Sequence, residues 1–127
     1  MSNSAPRILL VDDEIALCEM MSALLRHWGY QVECATSAIE ALGIIRSLDC
    51  DMAIIDLLMP GMSGQELAPL IKQHARIPVI MISAFPPESL PHVDQIYSKP
   101  VPADKLRRII ESNLSPNSAE QKQVWPS

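Results

Sequence analysis

The sequence predicts an α/β fold: a doubly wound, five-stranded parallel sheet with helices on both faces. Two observations carry this. Short, continuous apolar runs with β-branched members recur along the chain, the pattern of strands buried on both faces. Between them the apolar spacing lengthens to the helical period, so strand and helix alternate, as a parallel sheet with covering helices requires. Right-handed crossovers leave few topologies for this order. Ligands of doubly wound sheets bind beyond the carboxyl ends of the strands, which is where candidate site residues are sought.

The elements follow in order. Ile8, Leu9, Leu10 and Val11 form the first apolar run. Leu17, Met21, Leu24, Leu25 and Trp28 then share one helical face, and Gly29 suits the position just past the helix end. Gln31–Ala35 alternates apolar and polar, the habit of an edge strand. Ala38, Ala41, Leu42 and Ile45 form a second helical stripe, opened by a capping box of Ser37 and Glu40. Met52, Ala53, Ile54 and Ile55 make the third strand. Leu67, Leu70 and Ile71 make the third stripe, with Ser63 and Glu66 as its capping box; Pro69, in the first turn or just beyond, works against it. Val79, Ile80, Met81 and Ile82 form the fourth strand, and Ile96 with Tyr97 a weaker fifth. Leu106, Ile109, Ile110 and Leu114 line the last helix.

The connection over 84–95 breaks the alternation. It contains Pro86, Pro87 and Pro91, each of which excludes helical geometry at itself or just before it. The fourth helix, between strands four and five, is therefore predicted to be shortened or missing. The domain is expected to span 7–114, with a disordered N-terminus over 1–6 and a flexible, aperiodic tail over 115–127.

Composition excludes several function classes. At 127 residues, with 48% apolar and 20% charged residues, the chain has the size and make-up of one globular domain. Fifteen acidic against ten basic residues leave a net charge of −5, which argues against direct nucleic-acid binding. No apolar run approaches the roughly 20 residues that span a bilayer, and Met1 to Ala5 contain no secretory signal, so no membrane partner and a cytoplasmic location are expected. Cys18, Cys34 and Cys50 are odd in number and form no C-x-x-C pair, so they read as reduced thiols. His27, His74 and His92 have no partner at zinc-ligand spacing.

Each central strand runs into a polar residue. The first ends at Asp12, Asp13 and Glu14, the third at Asp56, the fourth at Ser83, and the fifth at Ser98, Lys99 and Pro100. On one parallel sheet these ends share a rim. Clustered carboxylates raise one another's pKa and call for a cation. Hard oxygen donors select Mg²⁺ or a similar divalent ion such as Mn²⁺, and a hydroxyl with an ammonium complements a phosphate. The implied chemistry is phosphoryl transfer with Asp56 as nucleophile. Each residue alone has a plainer role: Asp12 or Asp13 could cap a helix, Asp56 could serve a turn, Ser83 could bond to backbone, and Lys99 could be an ordinary surface lysine. Their arrival at successive strand ends favours the site.

These segments resemble the receiver domain of two-component response regulators, of the chemotaxis single-domain type. The carriers are the opening strand with its acidic pair over 7–14, Asp56 within Ile54-Ile-Asp-Leu-Leu-Met-Pro-Gly61 followed by Gly64, the hydroxyl strand Met81-Ile-Ser-Ala84, and Ser98-Lys-Pro100. The resemblance covers about 7–114. It implies a flavodoxin-like strand order, 2-1-3-4-5, and a module that catalyses only its own phosphotransfer and dephosphorylation. Asp56 would accept the phosphoryl group from a phosphohistidine of a sensor histidine kinase or phosphotransfer protein. Asp12, Asp13, Asp56 and the Leu58 backbone carbonyl would hold the metal, Lys99 would pair with phosphoryl oxygens, and Ser83 would report their presence to a downstream target or output domain. A cis Lys99–Pro100 bond is implied as well.

Two departures stand out. The aromatic switch residue usual three positions before the lysine is replaced by Ile96, with Tyr97 one place later and so on the opposite strand face. The stretch from Ser83 to Lys99 is also short. Two other functions compete. A haloacid-dehalogenase-type phosphohydrolase would need an acid two residues after Asp56, where Leu58 stands. A pseudo-receiver scaffold would not need the acidic pair, Asp56 and Lys99 together. No output-domain pattern follows residue 114, which fits either a stand-alone regulator or one cut from a longer chain.

Overall fold

The structure, a computed structural model, describes residues 5–114. Residues 1–4 and 115–127, which hold most of the N-terminal segment and all of the tail, lie outside the described residues. Five strands, β1 (Arg7–Val11), β2 (Gln31–Ala35), β3 (Met52–Asp56), β4 (Val79–Ser83) and β5 (Gln95–Ser98), form one sheet in the order β2-β1-β3-β4-β5. Every neighbouring pair is parallel. Four helices accompany the sheet among the described residues: α1 (Ile15–His27), α2 (Ala38–Ser47), α3 (Gly64–His74) and α4 (Ala103–Leu114).

Strand alternation divides the core into two. Leu9, Val11, Ala53, Ile55, Val79 and Met81 face α2 and α3. Ile8, Leu10, Met52, Ile54, Ile80 and Ile82 face α1 and α4. All twelve are at most 6% exposed, so β1, β3 and β4 are covered on both faces and their continuous apolar runs are accounted for. On the edge, β2 buries Val32 and Ala35 and leaves Gln31, Glu33 and Cys34 half-buried. At the start of β1, Gln31 bonds the carbonyls of Ala5 and Pro6, so these two residues, placed in the disordered N-terminal segment by sequence, are tied to the sheet.

The helix ends follow their sequence signals, with two differences. Gly29, at φ +98°, closes α1: its N–H donates to the Arg26 carbonyl and that of Tyr30 to Leu25, a Schellman stop. Ser63 and Glu66 form the full capping box of α3. The box expected at α2 is one-sided. Ser37 accepts from the Glu40 N–H, but the Glu40 carboxylate turns back to the N–H and hydroxyl of Thr36. Pro69 sits inside α3, which runs on to His74, because burial of Leu67, Ala68 and Ile71 outweighs one missing backbone bond.

No helix forms between β4 and β5. Leu90 and Val93 cover part of the sheet face instead. The chain is returned by Asp94, whose N–H donates to the Val79 carbonyl at 2.8 Å while its carboxylate accepts from the Val79 N–H and the Lys72 ammonium, both at 2.7 Å. His92 turns this connection with φ +66°. β5 is two residues longer than the Ile96–Tyr97 pair predicted for it.

Candidate functional site

The carboxyl ends of β1, β3, β4 and β5 meet at one rim, as parallel strands in register must. Asp12 follows β1 directly, Asp56 closes β3 opposite Ile82 of β4, and Ser83 closes β4 opposite Ser98, the residue before Lys99. One carboxylate oxygen from each of Asp12, Asp13 and Asp56 lies within 4.8 Å of the others. Asp12 and Asp56 are buried and Asp13 is exposed, so two acids form a floor and the third a lip.

Lys99 spans the floor. Its ammonium lies 3.2 Å from Asp12 Oδ2 and 3.4 Å from Asp56 Oδ1. Burial alone would lower its pKa, but the Asp12 and Asp56 carboxylates outweigh it and hold the ammonium above its usual value. Burial pushes the Asp56 carboxyl up; Lys99 pulls it down, Asp12 pushes it up again, and a hydrogen bond from the Leu58 N–H lowers it. The net is a raised pKa, the mark of a buried acid whose one ammonium partner does not fully offset its surroundings. The cluster therefore fits a further cation. The donor set is entirely carboxylate oxygen, which suits a hard divalent ion.

Neither Asp12 nor Asp13 caps α1, whose N-cap is Glu14 with no side-chain cap bond; Asp12 instead serves the turn before the helix and the rim. Its Oδ1 accepts the Glu14 N–H at 2.9 Å, steadying the entry to α1, and its Oδ2 faces Lys99. Ser83 is 1% exposed, and its Oγ accepts the Phe85 N–H at 3.1 Å. Its plain backbone role is thus real, and it still stands at the rim. Leu58 projects its side chain outward, 62% exposed, and turns its N–H to Asp56. The Lys99–Pro100 bond is cis. Ile96 packs towards α2 and α3, whereas Tyr97 packs on the opposite face, beneath the Lys105 ammonium at 5.2 Å and donating to Gln95 Oε1. Tyr97 is thus turned from the face an aromatic at 96 would occupy, as the one-residue shift requires.

Two features of the site were not read from the sequence. Gly64 opens α3 against the end of β3, where a Cβ would stand 2.6 Å from the Asp56 carbonyl oxygen and 2.9 Å from Met81 Sδ. The sequence shows Gly64 only as part of the segment after Asp56, not its close approach to the Asp56 carbonyl. Beneath Asp12, the Cys18 thiol donates to the Asp12 carbonyl at 3.6 Å; burial first, and then Cys34, pushes its pKa up to about 12. A cleft of about 620 Å³ runs from Asp12, Asp56 and Lys99 between α1 and α4, lined chiefly by apolar side chains such as Leu17, Met21, Leu24 and Leu106.

Among the described residues, no helix is long and apolar enough to cross a membrane. The chain is similar to the DNA-binding response regulator MtrA of Mycobacterium tuberculosis (strain ATCC 25618 / H37Rv), 32% identical over 84 residues, covering 66% of this chain and 37% of that one. It therefore spans little more than a third of that relative's length. Among solved structures, a CheY-like receiver domain protein from Methanospirillum hungatei JF-1 superposes with a TM-score of 0.82 at 30% identity, over 92% of this chain and 99% of that one. The response regulator TrrA of Thermotoga maritima, solved in complex with Mg²⁺-BeF, gives 0.75 at 29% identity, over 86% and 99%. Residues 8–111 match the response regulator receiver domain family. With that match spanning most of the chain, and with the sheet order and rim described above, this protein belongs to the receiver domain family of two-component response regulators.

Proposed function

We propose that Asp56 is the phosphoacceptor of this receiver and that Asp12, Asp13, Asp56 and the Leu58 carbonyl hold Mg²⁺ or Mn²⁺ beside it. The observation that carries this is the convergence of three carboxylates at the rim, two of which, Asp12 and Asp56, flank the Lys99 ammonium. An Asp56 oxygen attacks the phosphorus of a phosphohistidine on a sensor histidine kinase or phosphotransfer protein; the new O–P bond forms as the P–N bond breaks and the imidazole leaves. The divalent ion, when bound, neutralises charge on the transferring oxygens. Lys99 pairs with a phosphoryl oxygen, and Ser83 turns its hydroxyl from backbone to phosphoryl. These contacts exist only in the phosphorylated protein, so they bias its conformation towards a state that a downstream target or output domain recognises. The module turns over no metabolite, since only its own acyl phosphate is made and hydrolysed.

Superposition on the Mg²⁺-BeF complex of TrrA supports the metal assignment. The test is incubation of the protein with acetyl phosphate, with and without Mg²⁺, followed by intact mass. One added phosphoryl group is expected, dependent on Mg²⁺ and lost in Asp56→Asn. Labelling that survives EDTA or the substitution overturns the reading.

A further inference from the structure

We propose that Cys18 and Cys34 form a peroxide-responsive dithiol, which closes into a disulfide between α1 and β2 and withdraws the Cys18 thiol from the Asp12 carbonyl. The two residues interlock. Cys34 Sγ lies 3.5 Å from the Cys18 carbonyl oxygen, and Cys18 Sγ lies 3.9 Å from the carbonyl of Ala35, the neighbour of Cys34. After burial, the neighbouring Cys34 thiol is the next cause that raises the Cys18 pKa. Both belong to the core beneath α1 and α4, whereas Cys50 is buried in the core on the other side of the sheet. The chain thus carries one pair placed to react and one isolated thiol.

Their environments differ in a way that orders the chemistry. Cys18 is 2% exposed, while Cys34 is half-buried on the edge strand. Hydrogen peroxide therefore meets Cys34 first. The Cys34 sulfur attacks one peroxide oxygen, the O–O bond breaks, and water leaves a sulfenic acid. The Cys18 sulfur then attacks the Cys34 sulfur; the S–S bond forms, the S–O bond breaks, and a second water leaves. Two thiols lose two electrons, and one peroxide is reduced to two waters. The Ser22 hydroxyl, itself buried, is hydrogen-bonded to Cys34 Sγ and holds the side chain towards α1.

The consequence for the site is local. In the dithiol, the Cys18 S–H donates to the backbone carbonyl of Asp12, whose side chain faces Lys99. In the disulfide this donor is gone and the start of α1 is fixed to β2, so the Asp12 to Glu14 turn changes its hydrogen bonding. The device goes beyond the acceptor assignment and does not depend on it.

The test uses the full, metal-free chain, reduced and then treated with hydrogen peroxide. Peptide mapping under non-reducing conditions should find a Cys18–Cys34 disulfide with Cys50 still alkylatable, and dithiothreitol should reverse it. Cys34→Ser and Cys18→Ser should each abolish the crosslink; the Cys34 variant, on the sheet edge, keeps the test valid if the core variant fails to fold. Backbone ¹⁵N–¹H resonances of Asp13 and Glu14 should shift on oxidation, while those of Lys72 and Asp94 should not. Over-oxidation of Cys34 with Cys18 left free, or crosslinks that use Cys50 as often, overturns the dithiol. A Cys18–Cys34 disulfide that leaves Asp13 and Glu14 unshifted overturns its link to Asp12.

Discussion

Replacing Asp56 by Asn should stabilise the metal-free protein. At an effective dielectric near 20, the Asp12 carboxylate, within 4.8 Å, repels Asp56 by at least about 3.5 kcal/mol, and Lys99, at 3.4 Å, attracts it by about 5 kcal/mol. The exposed Asp13 adds a repulsion that solvent screens. These Coulomb effects nearly cancel, which leaves the cost of burying the ionised carboxylate, and an amide of almost the same volume avoids it. We expect a gain of about 1–2 kcal/mol at neutral pH, read from urea unfolding. The pH dependence follows from the raised pKa. A carboxyl that binds its proton more tightly when folded costs stability above its folded pKa, and that cost fades as pH falls through the folded value towards the ordinary 3.8. The advantage of the Asn variant should shrink over the same window. A variant no more stable than the parent at neutral pH, or an advantage that persists unchanged below 3.8, would refute the account of a charge-strained floor.

Three further outcomes are expected. Gly64→Ala should cost about 1–3 kcal/mol in urea unfolding, because its Cβ meets the Asp56 carbonyl at 2.6 Å; an unchanged midpoint would mean that α3 has room to move. Lys99→Ala should raise the Asp56 pKa further, as followed by its carboxyl ¹³C shift, and a fall would contradict the bridging role of the ammonium. Ser83→Ala should leave labelling by acetyl phosphate nearly intact but reduce the amide shift changes that accompany it; changes as large as in the parent would remove Ser83 from the response.

Much of the fold was legible because burial is written into the strands. The apolar runs of β1, β3 and β4 are almost wholly buried, and their polar successors Asp12, Asp56 and Ser83 fall at one rim simply because the strands are parallel and in register. Prolines at 86, 87 and 91 likewise foretold the missing helix. Other features depend on contacts distant in sequence. Pro69 alone says nothing of the buried residues around it that sustain α3. The Glu40 carboxylate bonds the N–H of Thr36 and not that of Ser37, which local spacing does not decide. Lys72 and Asp94 lie far apart in the chain, so their ion pair, which brings β5 back to the sheet, is a product of the fold. The approach of Gly64 to Asp56 and of Cys18 to Asp12 arises where helices dock on strands, and no periodicity records it.

The central claim is that Asp56 itself carries the phosphoryl group. Sodium borohydride reduces an acyl phosphate to an alcohol, which converts a phosphorylated aspartate to homoserine. The protein should therefore be treated with acetyl phosphate and Mg²⁺, reduced, and mapped by peptide mass spectrometry. Homoserine at position 56, absent when Mg²⁺ is withheld, is the predicted result; homoserine at 12 or 13, or none while the protein still carries a phosphoryl group, would contradict it.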